Sequence, residues 1–279
     1  MRYRLLDRVA LQWRIIIFFG LLVLYWSPWA LLIYGAGYLG NQVQVTSTVA
    51  LIALYLCFLV HAWFWGRGVH HWPAPWKHYG LVFSDRFFKT GAIALISGCG
   101  LVIFLFGLQL GLDWANLHHT PGLLTIVLEG LAVGLGIGFA EELLFRGWLL
   151  AELQTELSQN YAILWSGLLF AAAHFIKPLP DIISTSPQFL GLLLLGLILG
   201  MGRHLGGHQP GDANLGIPIG LHAGLVWGYY VVDVADLITP KASVPEWVTG
   251  IHGNPLSGIL GVTILSMVAA TAWIKLRSK

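Results

Sequence analysis

The chain alternates long apolar runs with short polar breaks. Eight apolar segments can be drawn, roughly Ile15–Leu32, Val49–Trp65, Thr90–Leu112, Leu123–Ala140, Tyr161–Phe175, Gln188–Met201, Ile217–Val232 and Leu256–Ile274. A membrane-crossing helix needs about 20 apolar residues. The fifth and sixth segments fall short of that. They are expected to be tilted, lengthened by flanking residues, or sunk beside a water-filled cavity. The pattern predicts an all-α fold, a polytopic membrane helix bundle of about eight transmembrane helices, in a single integral-membrane domain over residues 1–279. Glycines support close helix packing. Gly130, Gly134 and Gly138 recur every fourth residue, and so do Gly216, Gly220, Gly224 and Gly228. Small residues at that spacing let backbones approach in lipid.

Composition sharpens this picture. The chain is 57% hydrophobic and 10% charged, against about 25% charged in soluble domains. A formal charge of +2 gives no sign of a nucleic-acid partner; the lipid bilayer is the expected environment. With eight spans and both termini cytoplasmic, 13 of the 15 Lys and Arg fall inside, from Arg2, Arg4, Arg8 and Arg14 to Lys275, Arg277 and Lys279. Only Lys177 and Lys241 fall outside, as the positive-inside bias expects. The expected location is the plasma (inner) membrane, multi-pass. The basic N-terminus precedes a long apolar stretch without a small-residue cleavage site, which reads as a retained first span. Cys57 and Cys99 sit in apolar runs and read as fillers. The connection 66–89, rich in Trp and His, reads as an interfacial segment.

Chemistry concentrates in three places. Glu141-Glu142-Leu-Leu-Phe-Arg146 closes the fourth apolar run. Charge next to hydrocarbon is costly and marks a candidate functional site. Arg146 stands four residues after Glu142, so the two share a helix face and should pair. Glu141 points about 100° away and is the carboxylate left free. In the fifth segment Ser166, Phe170 and His174 follow i, i+4, i+8 and share one face. In the seventh, His222 lies about 200° from the glycine stripe, so one face packs while another presents the imidazole. His61 and Glu129 are single intramembrane groups of lower rank. His204 and His208 precede or follow Gly206-Gly207, which makes a helix there doubtful. His118, His119 and His252 fall in loops. There is no HExxH pair, no Gly-x-Ser-x-Gly elbow and no Walker-type loop.

At these residues the chain resembles the CAAX-protease and bacteriocin-processing family (CPBP, or Abi) of intramembrane proteases, related to Rce1-type prenyl-protein endopeptidases. The family's Glu-Glu-x-x-x-Arg matches Glu141, Glu142 and Arg146. Its Phe-x-x-x-His matches Phe170 and His174. Its His-x-x-x-Asn matches at His222 but departs at Val226. The resemblance covers roughly residues 122–232 as a catalytic core.

What the resemblance implies is hydrolysis of a peptide bond near the cytoplasmic membrane face. Glu141 and His174 would activate a water and His222 would stabilise the oxyanion, with Glu142, Arg146 and Phe170 in support. Val226 cannot donate the hydrogen bond of the family's Asn; Trp227 and Asn214 are candidate replacements. No cofactor is firmly implied. A divalent metal such as zinc is left open, with Glu141, His174 and His222 as its ligands, although a metal-free glutamate mechanism suits the same residues. The implied partner is a peptide or lipidated-protein substrate. Two rival readings stand beside the protease: a non-catalytic immunity or scaffold protein on the same fold, and a proton or cation transporter.

Overall fold

The computed structural model describes residues 6–40, 43–206 and 214–278; Arg2, Arg4, His208 and Lys279 lie outside them. Helices dominate, and the fold is an all-α polytopic bundle. Among the described residues, seven helices are long and apolar enough to cross a membrane. The fifth apolar segment forms a helix as well, but with 15 residues it is shorter than the others. The sixth is lengthened by its flanks, and the helical stretch runs Leu179–Leu205. The chain divides into two compact units, Met1–His78 and Tyr79–Lys279.

The first unit is a helical hairpin of α1 (Leu11–Gly40) and α2 (Val43–Gly68), followed by the short α3 (Pro75–His78). Pro28 lies inside α1 and cannot donate to the carbonyl of Leu24. Ser27 Oγ donates to that carbonyl instead, at 3.1 Å, the kind of side-chain repair that lets proline persist in membrane helices. His61 is buried against aromatic rings, 4.4 Å from Phe18 and 5.7 Å from Trp65 between centroids. It belongs to this hairpin's core. Trp72 is stacked between His70 and His78 in the connection after α2.

The second unit is organised around α10 (Gly216–Val234). On one side lies α4 (Asp85–Gly111), capped by Ser84, whose Oγ accepts from the Phe87 N–H. Gly216 stands against Phe87, Gly220 against Gly91 and Gly228 against Val102, so the two helices run parallel. On the other side lies α5 (Leu123–Glu142). Gly138 faces Ala223 and Gly130 faces Tyr230, so α5 runs antiparallel to α10. Both glycine stripes therefore face neighbouring backbones. A Cβ on Gly134 would come within 2.6 Å of the Ala223 carbonyl oxygen, whereas one on Gly136 would meet nothing within 4 Å. Gly134→Ala is expected to destabilise the fold by about 1–3 kcal/mol through overpacking. Gly136→Ala, two residues away, is expected to be neutral or slightly stabilising. Thermal unfolding in detergent, followed by the fraction that stays monodisperse, reads the difference.

A second layer is built from α7 (Gln159–Ala173), α9 (Phe189–Leu205) and α12 (Ile259–Arg277). Gly167 beside Gly196 and Ile163 beside Gly200 make α7 and α9 antiparallel. The chain enters α12 next to Gly191, at the start of α9, and α12 then packs along that helix. Short helices α8 (Leu179–Thr185) and α11 (Glu246–Thr249) lie in the connections before α9 and α12. Two three-residue strands were not expected. β1 (Ala115–Leu117) pairs antiparallel with β2 (Ile238–Pro240), joining the connections that follow α4 and α10. Lys241 adds an ion pair with Asp113 there.

The unit thus has two distinct ends. One carries the sheet of β1 and β2. The other gathers the starts of α4 and α10 and the ends of α9 and α12.

Candidate functional site

The fourth apolar run does not end at the acidic pair. After α5 the chain continues as a π-helical stretch, Leu143–Leu149, and then as α6 (Leu150–Leu153), so one helical run covers Leu123–Leu153. Glu141, Glu142 and Arg146 lie inside this run and do not cap its end. The expectation that Arg146 merely terminates a span is corrected: it is fully buried. Its charge is tolerated because partners surround it. Nη1 donates to Glu142 Oε1 at 2.8 Å and Nη2 to the Gly196 carbonyl at 3.2 Å. The guanidinium also lies 4.1 Å from the centre of the Phe170 ring.

The π turn frees carbonyls from the regular α-helical ladder, and π turns recur at functional sites. Here other side chains collect them. Ser166 Oγ donates to the Phe145 carbonyl at 3.0 Å. Arg203 Nη1 donates to the Arg146 carbonyl and, at 3.1 Å, to that of Gly147. Arg203 is itself buried. The sequence placed it among cytoplasmic basic residues; the structure makes it a clamp on the turn that follows the acidic pair. An arginine inside a Gly-Met-Gly-Arg-His run was the available signal.

The second acid of the pair has two partners. Glu142 is fully buried, and its Oε1 accepts from both Arg146 and His222 Nδ1, each at 2.8 Å. The carboxylate of an Arg-paired Glu only accepts, so Nδ1 of His222 carries its proton. The hydrogen-bond partner of His222 is thus Glu142, the acid next to Glu141. Glu141 remains apart from this pairing. Its Oε2 is buried without a hydrogen-bond partner.

A cavity of about 350 Å³ brings Glu141, His174 and His222 onto one lining. His174, at the C-terminal end of α7, directs Nδ1 at the Phe170 carbonyl, 2.9 Å away. A carbonyl only accepts, so Nδ1 is protonated and a neutral ring keeps its lone pair on Nε2. Phe170 is completely buried, with ring centroids 4.7 Å from His174 and 6.0 Å from His222. The face shared by Ser166, Phe170 and His174 thus runs from the π turn to the cavity. Sequence reasoning did not foresee three further polar lining residues: Gln188, Tyr229 and Asn254. They lie outside any apolar periodicity that could have pointed to them, except Tyr229, seven residues after His222 on the same helix face.

Val226 lines the cavity, so the departure from the family's Asn falls within the site. Neither candidate replacement joins it. Trp227 Nε1 donates to the Val127 carbonyl at 2.9 Å, and Asn214 Oδ1 accepts the Gly216 N–H at 2.7 Å. Other residues weighed earlier lie elsewhere. Glu129 is exposed on α5, His204 contacts Gln154, and His118 contacts Thr239 in the two-stranded sheet.

Among the described residues no three His, Cys, Asp or Glu side chains come together as a metal-ligand group. Glu141, His174 and His222 share a cavity but, as arranged, do not fit a three-ligand zinc site, and no step below is routed through a metal.

The cavity lies to one side of the acidic pair. On α10 it is lined by His222 and by residues after it, through Tyr229. On α5 it reaches back from Glu141 to Ile137, and on α4 it uses the stretch from Leu101 to Phe106. The α4 stretch and Tyr229 lie toward the end of the two strands, while Ile137, Glu141 and His222 lie on the other side of the midpoints of α5 and α10. Toward the other end, Glu142, Arg146, Arg203 and Leu215 are buried.

Residues 123–230 match the family model for type II CAAX prenyl endopeptidases, Rce1-like. No curated protein and no solved structure matches the chain.

Proposed function

From an Rce1-like domain at residues 123–230, of the type II CAAX prenyl endopeptidase family, we propose that this integral membrane protein is an intramembrane endopeptidase. The observation that carries the reading is a buried carboxylate oxygen without a hydrogen-bond partner, on Glu141, in a cavity shared with two imidazoles. A peptide bond needs a base to take a proton from water and an acid to return it to the leaving amine. Glu141 supplies both in turn. His174, with Nδ1–H held by the Phe170 carbonyl, offers Nε2 to the same water. As the water oxygen bonds to the carbonyl carbon, the carbonyl oxygen gains negative charge. His222, held by Glu142, stabilises that charge. To donate from Nε2 while Nδ1–H stays on Glu142, the ring holds a proton on both nitrogens. The C–N bond then breaks and the proton on Glu141 passes to nitrogen.

The direct test compares membrane proteomes from cells carrying the wild type or Glu141→Gln, by mass spectrometry of new N-termini. Peptide ends present only with the wild type support the reading. Identical termini in the two samples refute it.

Val226 favours a second reading, a non-catalytic immunity or scaffold protein on the same fold. A missing oxyanion donor costs about 10²–10³ in rate. On the protease reading Val226→Asn is therefore expected to raise turnover by up to about that factor, measured on a peptide from the proteome comparison. A protein with no wild-type cleavage and no gain from this change fits the scaffold instead. Transport is disfavoured because the buried charged residues of this unit, Glu142, Arg146, Glu152 and Arg203, gather toward one end of their helices and do not step along the bundle.

A further inference from the structure

The loop ahead of α12 is tight and strained. Gly250, His252 and Gly253 have φ of 133°, 54° and 75°. His252 holds a left-handed conformation without being a glycine, which is uncommon. A Cβ on Gly250 would come within 2.3 Å of the Asn254 carbonyl oxygen. Ser257 Oγ accepts the Ile251 N–H and donates to the Asn254 carbonyl, both at 2.8 Å. Asn254 Oδ1 accepts the Leu256 N–H at 2.9 Å. Strain of this kind persists only where the surroundings over-determine it, and it clusters at functional sites. This loop delivers Asn254, Pro255 and Leu256 to the cavity lining.

We propose that Asn254 and Gln188 form a subsite that binds the main chain of an extended polypeptide substrate. The subsite rests on the endopeptidase reading and adds to it how the peptide is held in register. Gln188 also lines the cavity, and the turn that carries it, Ser186–Gln188, packs against the turn Pro255–Ser257. The Leu256 carbonyl oxygen lies 2.3 Å from where a Cβ on Gly191 would stand, so the loop is seated on α9 within one turn of Gln188.

Both carboxamides keep hydrogen-bonding capacity for a ligand. Such a group offers two N–H donors and an acceptor oxygen. Asn254 uses its oxygen within the loop, which leaves the donors. Among the described residues none is bonded to the Gln188 carboxamide. Tyr229, by contrast, has its Oη 3.4 Å from Asp233 on its own helix. Much of the remaining lining is apolar, with Leu101, Leu105, Phe106 and Ile264 among it. A peptide held there gives up water at its N–H and C=O groups, and a main-chain group left unpaired is costly. A carboxamide can donate to the peptide carbonyl and accept its N–H. Such pairing reads the backbone and is indifferent to the side chain.

The position along the peptide follows from α9. Gln188, Leu192 and Leu195 line the cavity in succession, and Gly196 accepts from Arg146 beside the acidic pair. From 188 to 196 a helix rises about 12 Å. An extended chain covers that length in about three to four residues. The subsite therefore meets the substrate about that far from the scissile bond.

The test measures kcat and KM of the full-length protein on a peptide identified in the proteome comparison. A set of variants of that peptide carries an ester in place of one amide at a time, which removes the N–H and weakens the carbonyl as an acceptor. An ester about three to four residues from the scissile bond is expected to raise KM about 3–10-fold, the size of one neutral hydrogen bond, with kcat unchanged. Gln188→Met is expected to raise KM on the all-amide peptide by a similar factor, and that ester then adds nothing further. Asn254→Asp keeps the oxygen that holds the Leu256 N–H and removes the donors. KM is expected to rise again, with thermal unfolding showing that the fold is retained. Unchanged KM in both variants overturns the proposal. So does a loss in Gln188→Met that multiplies with the loss from every ester, or a fall in kcat alone. Such results with an active wild type leave the endopeptidase reading in place, whereas a wild type that cleaves nothing removes both.

Discussion

Glu141→Gln is expected to abolish measurable cleavage while the protein inserts and purifies as the wild type does. The substitution keeps the shape of the side chain and removes its capacity to take a proton. General acid–base groups contribute about 10²–10⁴ in rate, and in the proposed mechanism one carboxylate serves both steps. The fall is therefore expected at the upper part of that range. Stability should not suffer, because Oε2 of Glu141 gives up no hydrogen bond in the fold. Single-turnover cleavage of an identified peptide, alongside thermal unfolding, separates the two effects. A variant that kept normal turnover would remove Glu141 from the mechanism.

The largest loss of stability is expected from the neighbouring acid's partner. Arg146→Met leaves Glu142 buried with His222 as its only ring partner and removes the cation over Phe170. Breaking a buried ion pair from one side costs about 3–5 kcal/mol. The yield of folded protein should drop sharply. The double variant Glu142→Leu with Arg146→Met removes both charges, and replacing a buried pair by apolar groups is often neutral or stabilising. Much of the yield should return. Activity should not return with it, because His222 loses the carboxylate that fixes its Nδ1 proton. Recovery of folding without turnover identifies Glu142 as a positioning residue. Recovery of both would show that the His222–Glu142 contact has no part in the reaction.

These outcomes depend on details that the sequence disclosed unevenly. The long helices were legible because continuous apolar runs of such length have few other solutions. The Glu142–Arg146 pair followed from i,i+4 spacing, and so did the separation of Glu141. The two glycine stripes pointed to close packing, and Gly134 and Gly220 do meet backbone. The extent of the fourth helix was not legible. Charged residues look like a membrane boundary when their partners are unknown, and Arg146 is neutralised by residues 4 and 50 positions away. Which acid holds His222 was equally hidden. Adjacent glutamates differ by one residue in rotation, and the choice depends on how α5 and α10 are set against each other. The two-stranded sheet joins segments about 120 residues apart through three-residue strands, too short for any alternating pattern. Arg203 was read by its neighbourhood in the chain, and its role as a clamp exists only once the π turn is formed.

The glycines of α10 have one more effect. Gly220 and Gly224 flank His222 by two residues on either side and press main chain against the carbonyls of Gly91 and Leu95. Gly134 and Gly138 do the same from α5 against Ala223. With no side chains between them, these helices meet main chain to main chain, so a shift of one along the other has to move backbone past backbone. The imidazole between them inherits that constraint. On the proposed mechanism, accuracy at the reacting atoms is thus vested in positions that have no functional group, and substitutions there would be recorded as loss of activity although nothing chemical had been touched.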